Sequence, residues 1–208
     1  MAAAWFVDGA YLYKLWGSLG RQDSLDFLKL RQMLERDHCD VSANERIEDA
    51  YYFNADSEPS MARQSAFHMA LQYPPPTGPG LRVKLYWLQR RQLWWPANMG
   101  GQQVVHPSSG QPYEIVQQKA VDVGLATNLM RSHAKRGWRR LFLAAGDGDF
   151  HEPIQHLVEH ENVSLVLIGT PKTISTELQP YAQSILRLDE IADQIARPRP
   201  VRNGPPPT

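Results

Sequence analysis

Four aspartates stand out by type and setting. Asp8 closes an apolar run, Ala2 to Val7, and precedes Gly9; Asp147 and Asp149 flank Gly148 directly after a second apolar run, Leu141 to Ala145. The two-residue spacing in a turn lets both carboxylates point to one side. Asp122 lies between Val121 and Val123, and steps of three or four from it reach Leu125, Ala126 and Leu129. That spacing puts Asp122 on, or at the margin of, the buried face of a helix. A lone carboxylate there is costly unless paired or coordinated. Four carboxylates drawn together repel one another and raise each other's pKa. A divalent cation removes the conflict, and oxygen-only ligands favour magnesium or manganese over zinc. Such ions serve phosphate chemistry, activating a water and stabilising charge on the leaving oxygen. Each aspartate also has a bland reading: Asp8 as a turn cap, Asp149 as a helix cap, and Asp122 as the partner of Lys119 one turn earlier.

The elements that must position these groups follow from periodicity. Ala2–Val7 reads as a buried strand ending in a turn at Asp8-Gly9. A helical pattern starts at Ser24, with Leu25, Leu28, Leu30 and Leu34, under a Ser or Asp cap. Ile47–Asn54 and Leu81–Leu88 read as strands, and Ser60–Tyr73 as a helix stopped by Pro74, Pro75 and Pro76. Lys119–Lys135 is helical, with Val121, Leu125, Leu129 and Met130 on one side. Leu141–Ala145 is a strand, His151–Glu161 a helix with Pro153 in its first turn, and Val163–Gly169 a buried strand. Ile185–Leu188 makes a short final strand and Asp189–Ala196 a short final helix. Strands alternating with helices predict an α/β fold, three layers α/β/α around a mainly parallel sheet. Ligands bind such sheets at the carboxyl ends of the strands, where Asp8, Asp147 and Asp149 are expected.

The stretch 89–118 breaks this rhythm with Arg90, Arg91, Trp94, Trp95, Gly100, Gly101 and three prolines. It reads as an inserted hairpin or long loop within a domain spanning 1–196. Charge interleaved with aromatic rings suits single-stranded RNA. The alternative, favoured for Trp94 and Trp95, packs them on the core or a partner subunit. Arg131, Lys135, Arg136, Arg139 and Arg140 read as a solvated helix end favoured by the helix dipole. His156 and His160 read as surface or packing residues, and His151, near the acidic turn, as a minor candidate for proton transfer. Residues 197–208 hold five prolines and one glycine and are expected to be disordered.

Composition excludes little else. The chain has 208 residues, with 22 basic and 22 acidic side chains, so any attraction to nucleic acid must come from a local patch. One cysteine, Cys39, with no base or motif around it, fits a reducing compartment and no catalytic role. The start lacks signal-peptide character, and no apolar run is long enough to span a membrane. A cytoplasmic location without membrane association is expected.

Three blocks then carry a resemblance. Phe6-Val7-Asp8-Gly9-Ala10-Tyr11-Leu12, Lys119-Ala120-Val121-Asp122-Val123-Gly124-Leu125-Ala126 and Ala145-Gly146-Asp147-Gly148-Asp149-Phe150 resemble the signature blocks of the NYN family, the LabA-like branch of PIN-like nucleases, in the family's order. The resemblance spans roughly residues 4 to 190. It implies a PIN-like (Rossmann-like) three-layer fold and an Mg2+- or Mn2+-dependent endoribonuclease. It implies Asp8, Asp122, Asp147 and Asp149 as the acidic, metal-holding cluster, and a 5′-phosphate product. Two departures stand out: Tyr11 takes the place of an asparagine in the first block, and Asn128 that of an acid in the second. Tyr11 is expected to stack on a base or contact phosphate; Asn128 can offer one carbonyl oxygen. Lys119, Tyr11, Asn128, Arg90 and Arg91 are the expected substrate-binding residues, with Lys119 a point charge for phosphate.

The expected function is hydrolysis of RNA, single-stranded or structured. The alternatives are a DNA nuclease or phosphatase with the same site, or a catalytically weak or inert RNA-binding or scaffolding module, favoured by Tyr11 and Asn128. A regulatory protein recruiting a partner through the proline-rich tail, or a homodimer, would extend either.

Overall fold

The computed structural model describes residues 1–56, 65–118 and 120–197. The first strand, β1 (Ala2–Asp8), is apolar on both faces because it is central and covered on both sides. Helix α1 (Gly9–Ser18) follows without a loop, capped by Asp8. The turn expected at Asp8-Gly9 is thus a helix start, and Leu12, Leu15 and Trp16 form the stripe that buries it. Ser24–Leu25 is a short strand, β2, and α2 (Phe27–Asp37) takes its cap from Asp26, which accepts from the Leu28 and Lys29 amides. Next come β3 (Arg46–Asp56) and α3 (Ala66–Gln72), capped by Ser65. The start expected for α3 at Ser60 lies outside the described residues. Strand β4 (Arg82–Gln92) runs through the two arginines assigned to the insertion, and β5 (Glu114–Gln118) returns beside it.

Helix α4 (Val121–Arg136) ends at Gly137, whose φ of +59° closes it in the left-handed conformation. Strand β6 (Arg140–Ala144) leads through a 3-10 turn (Gly148–Phe150) into α5 (His151–Glu159) and then β7 (Ser164–Gly169). The chain closes with β8 (Ala182–Arg187), α6 (Leu188–Ile191) and β9 (Ala196–Arg197). The helix expected over Asp189–Ala196 is therefore shorter, because its end is drawn into antiparallel pairing with Ser24–Leu25. Arg197 belongs to that pairing, and residues 198–208 lie outside the described residues.

The main sheet has seven strands in the order β5-β4-β3-β1-β6-β7-β8. All neighbours are parallel except β4 and β5. One face buries α1, α2 and α6 around Trp5, Val7 and Phe142; the other buries α4 and α5 around Phe6, Trp138, Leu143 and Leu167. Each such fully buried large side chain contributes about 1.5–3 kcal/mol. The basic run around α4's end is not simply solvated: Arg140 pairs with buried Glu45 at 2.9 Å, and Arg136 stands 3.8 Å from buried Asp49. Asp49 also accepts from Arg82 and from Ser132, which in turn accepts from the indole of Trp138. Among the described residues, no helix is long and apolar enough to cross a membrane.

Candidate functional site

The sheet order creates the site. From β1 the chain moves outward to β3 and β4; from β6 it moves the other way to β7 and β8. The crevice between the carboxyl ends of β1 and β6 is the switch point at which ligands bind such sheets. Asp8 ends β1, and Gly146-Asp147-Gly148-Asp149 follows β6. Helix α4 crosses back over the sheet, and its first turn carries Asp122. A depression of about 360 Å³ opens there, lined by Asp8, Ala10, Tyr11, Lys14, Asp122, Gly146, Asp147 and Thr173. A larger recess of about 440 Å³ lies elsewhere, with Glu48 as its only carboxylate.

Asp8 does two things. One oxygen, Oδ1, accepts from the amides of Ala10 and Tyr11 at 2.9 and 3.1 Å, capping α1. Both of these bonds fall on Oδ1, and Asp8 lines the depression. Burial raises the Asp8 pKa above the ordinary carboxylate value, the two amides pull it down, Asp122 pushes it up and Lys14 lowers it slightly. Asp122 is likewise raised, first by partial burial in the depression wall, then by the charges of Asp147 and Asp149. Asp147 accepts from the Asp149 amide at 3.1 Å, which fixes the turn. The cap expected of Asp149 therefore belongs to Asp147.

Of the two positions expected for Asp122, on the buried face or at its margin, the structure gives the margin. Asp122 is exposed; Val121, Leu125, Leu129 and Ser132 take the inward positions. What recommends Asp122 is its charge coupling to Asp147 and Asp149, not burial in apolar surroundings. Its place in the first helical turn also suits a carboxylate, since the macrodipole is positive there. Lys119, and any bridge from it to Asp122, lies outside the described residues.

Tyr11 lines the depression, but its hydroxyl turns inward. It shares a hydrogen bond with Thr173 Oγ1 at 3.0 Å and approaches the Ile168 carbonyl at 3.4 Å. Its ring packs over Gly146 and Gly169, where added Cβ atoms would collide with it. Tyr11 thus braces the β7 end through its hydroxyl while lining the depression. Asn128 donates to the Gly124 carbonyl at 2.7 Å, one turn back in its own helix, and does not line the depression. Arg90 and Arg91 lie on the far part of β4, opposite Val116 and Ile115, and do not line the depression. Trp94 and Trp95 are 60% and 51% exposed, so neither packs on the core. His151 is hydrogen-bonded to Tyr181 and is not among the lining residues. Cys39 is buried and its thiol pushed up to about 11, chiefly by desolvation, which keeps it inert at neutral pH.

Two lining residues escaped the sequence reading. Lys14 projects from α1 beside Asp8, and finding it required reading Asp8-Gly9 as a helix start. Thr173 comes from the segment between β7 and β8, whose Ser175 amide donates to the Gly146 carbonyl. Glu177, in the same segment, has its carboxylate next to Gly148.

The donor set fits a hard divalent cation. It is all oxygen, Asp122 raises the pKa of Asp8 while Asp147 and Asp149 raise that of Asp122, and among the described residues Lys14 is the cation lining the depression. Among the described residues, no three His, Cys, Asp or Glu side chains converge tightly enough to enclose an ion. Closing around one therefore requires side-chain rotation, which exposed Asp122, Asp147 and Asp149 can make.

A family model described as the NYN domain matches residues 2–189. A crystal structure of a protein of unknown function from Vibrio parahaemolyticus is similar with a TM-score of 0.58 and 18% identity, covering 94% of this chain and 96% of that one. At that identity the likeness speaks for the fold alone. No curated protein matches.

Proposed function

The chain belongs to the NYN domain family, a family of PIN-like nucleases, and from that premise we propose that it is a metal-dependent endoribonuclease. The observation that carries the reading is the convergence of Asp8, Asp122 and Asp147 on one depression at the switch point of the sheet. Asp8, Asp122, Asp147 and Asp149 would hold Mg2+ or Mn2+. Such an ion, when bound, lowers the pKa of water and stabilises charge on a phosphoryl oxygen.

The chain's own groups do the rest. Lys14, at the lip, attracts a phosphate as a compact point charge. The α1 amides of Ala10 and Tyr11 tether the Asp8 carboxylate through Oδ1, which lowers the cost of ordering it at the site. The attacking water gives up its proton to a carboxylate of the cluster. The attack forms a new P–O bond and breaks the bond to the 3′ oxygen. The 3′ oxygen takes a proton from solvent as it leaves, giving a 3′-hydroxyl and a 5′-phosphate.

A labelled single-stranded RNA incubated with the protein and Mn2+ tests this. Cleavage inside the strand, abolished by EDTA and lowered at least about 100-fold in Asp147→Asn, is expected, given the usual scale of loss when a group that stabilises transition-state charge is removed. Undiminished activity in that variant, at unchanged melting temperature, sinks the site. RNA binding with no metal-dependent cleavage of any substrate favours the inert binding module instead. Parallel arms with single-stranded DNA and a phosphomonoester separate RNase from DNase and phosphatase.

A further inference from the structure

The β4–β5 pair is placed and composed in a way the catalytic site does not explain. Among the described residues, β4 pairs with β3 as far as Trp87 opposite Asp56, and from Leu88 to Gln92 it pairs with β5. Because β4 is parallel to β3 and β1, this continuation leaves the sheet at its carboxyl edge, the edge that carries Asp8 and Asp147. The connection, 93–113, is held by bridges between Trp94 and Gln103 and between Val105 and Pro112, so it is an ordered arm. It returns along β5 to Gln118, only four residues before Asp122.

The arm's surface is unusual. Trp87, Trp94, Trp95 and Tyr113 are all exposed, although large aromatics are ordinarily buried or covered. Arg90 and Arg91 are exposed between them. From residue 82 to 118 there are four cations, Arg82, Lys84, Arg90 and Arg91, against one carboxylate, Glu114, in a chain whose totals balance. Arg90 meets Glu114 only loosely, at 3.9 Å. By strand alternation Arg90 shares the face of Tyr86, whose hydroxyl lies against Gly124 in the helix that carries Asp122.

We propose that this arm is the substrate-holding element for single-stranded RNA, stacking unpaired bases on Trp94, Trp95 and Tyr113 while Arg90 and Arg91 take phosphates, and so delivering the strand to the acidic depression. Exposed rings alternating with cations match a flexible polyanion with free base faces. A duplex hides those faces, whereas a single strand offers free bases and phosphates together. The proposal rests on the nuclease reading for the direction of the strand, but not for its binding.

Binding is therefore measured without chemistry. The full chain is titrated in EDTA with a fluorescein-labelled single-stranded oligoribonucleotide, following both anisotropy and quenching of tryptophan emission. Quenching on binding is expected. Trp94→Ala/Trp95→Ala raises Kd at least about fivefold per ring, Phe at both positions restores most of the affinity, and Arg90→Ala/Arg91→Ala flattens the plot of log K against log salt by about 0.7 per arginine. Unchanged affinity in both variants, at unchanged melting temperature, overturns the proposal. So does equal affinity for a blunt RNA duplex, or a parent dimer by light scattering that the tryptophan variant dissociates without loss of RNA affinity. If the arm binds as expected but the parent cuts no RNA with Mn2+, the nuclease reading fails and the arm's role as an RNA-holding surface stands.

Discussion

Asp122 shows how much a single side chain's setting decides. Its neighbours in sequence are apolar, but the helix turns Val121 and Leu125 inward and leaves the carboxylate at the rim. Its pKa is still raised, by partial burial and by Asp147 and Asp149. A group with a raised folded pKa contributes stability that is present below its unfolded value and lost as pH rises through the folded one. Asp122→Asn should therefore raise the melting temperature of the metal-free protein at pH 7. The gain should vanish below the ordinary value of 3.8, where the carboxylate is protonated in both states. Thermal melts in EDTA across pH check this, and a lower melting temperature at pH 7 would mean that Asp122 has a stabilising partner instead. Asp8 and Asp147 were legible because a carboxylate just past an apolar strand is a positional signal. Lys14 and Thr173 were not, since one sits on a helix hidden behind an apparent turn and the other on a segment without periodicity.

At the scale of elements, the turn after β6 depends on glycine at one position. Gly146 lies where a Cβ would strike the Thr173 backbone carbonyl and the Tyr11 ring; the Thr173 amide and hydroxyl both donate to the Thr170 carbonyl, and the Tyr11 hydroxyl shares a hydrogen bond with Thr173 Oγ1. At Gly148 the obstacle is the end of the flexible, exposed Glu177 side chain. Gly146→Ala should cost about 1–3 kcal/mol by overpacking and displace the Asp147 turn, lowering activity as well. Gly148→Ala should cost markedly less, and urea unfolding of the two variants compares them. Equal losses would show that the Thr173 segment yields readily. Strands β1, β6 and β7 could be read from composition because parallel central strands are near-continuous apolar runs. The far half of β4 could not: it pairs with the exposed return strand β5, so its sequence, with exposed Arg90 and Arg91, lacks the pattern of burial. Helix α1 was missed because Asp-Gly serves a turn and a helix cap equally well. The pairing of β2 with β9 is too short and too distant in sequence to leave a periodic trace.

At the scale of the molecule, the seven-stranded order explains why residues from positions 8, 122 and 147 meet. Two outward-winding halves must part between β1 and β6, and the parting leaves a crevice at their carboxyl ends. Alternating strands and helices made the three-layer fold legible. The strand order was not, because no local pattern records which strand lies beside which. Zero net charge hid the basic, aromatic arm, since the remaining surface carries the compensating acid. The central claim is that the crevice is a divalent-metal site for phosphodiester cleavage. A crystal of the full chain soaked in Mn2+, with the ion located by its anomalous signal, tests it most directly. The account predicts manganese density in contact with Asp8, Asp147 and Asp122 in the depression beside Lys14. Manganese bound only elsewhere, or an empty crevice at a concentration that supports cleavage in solution, would contradict it.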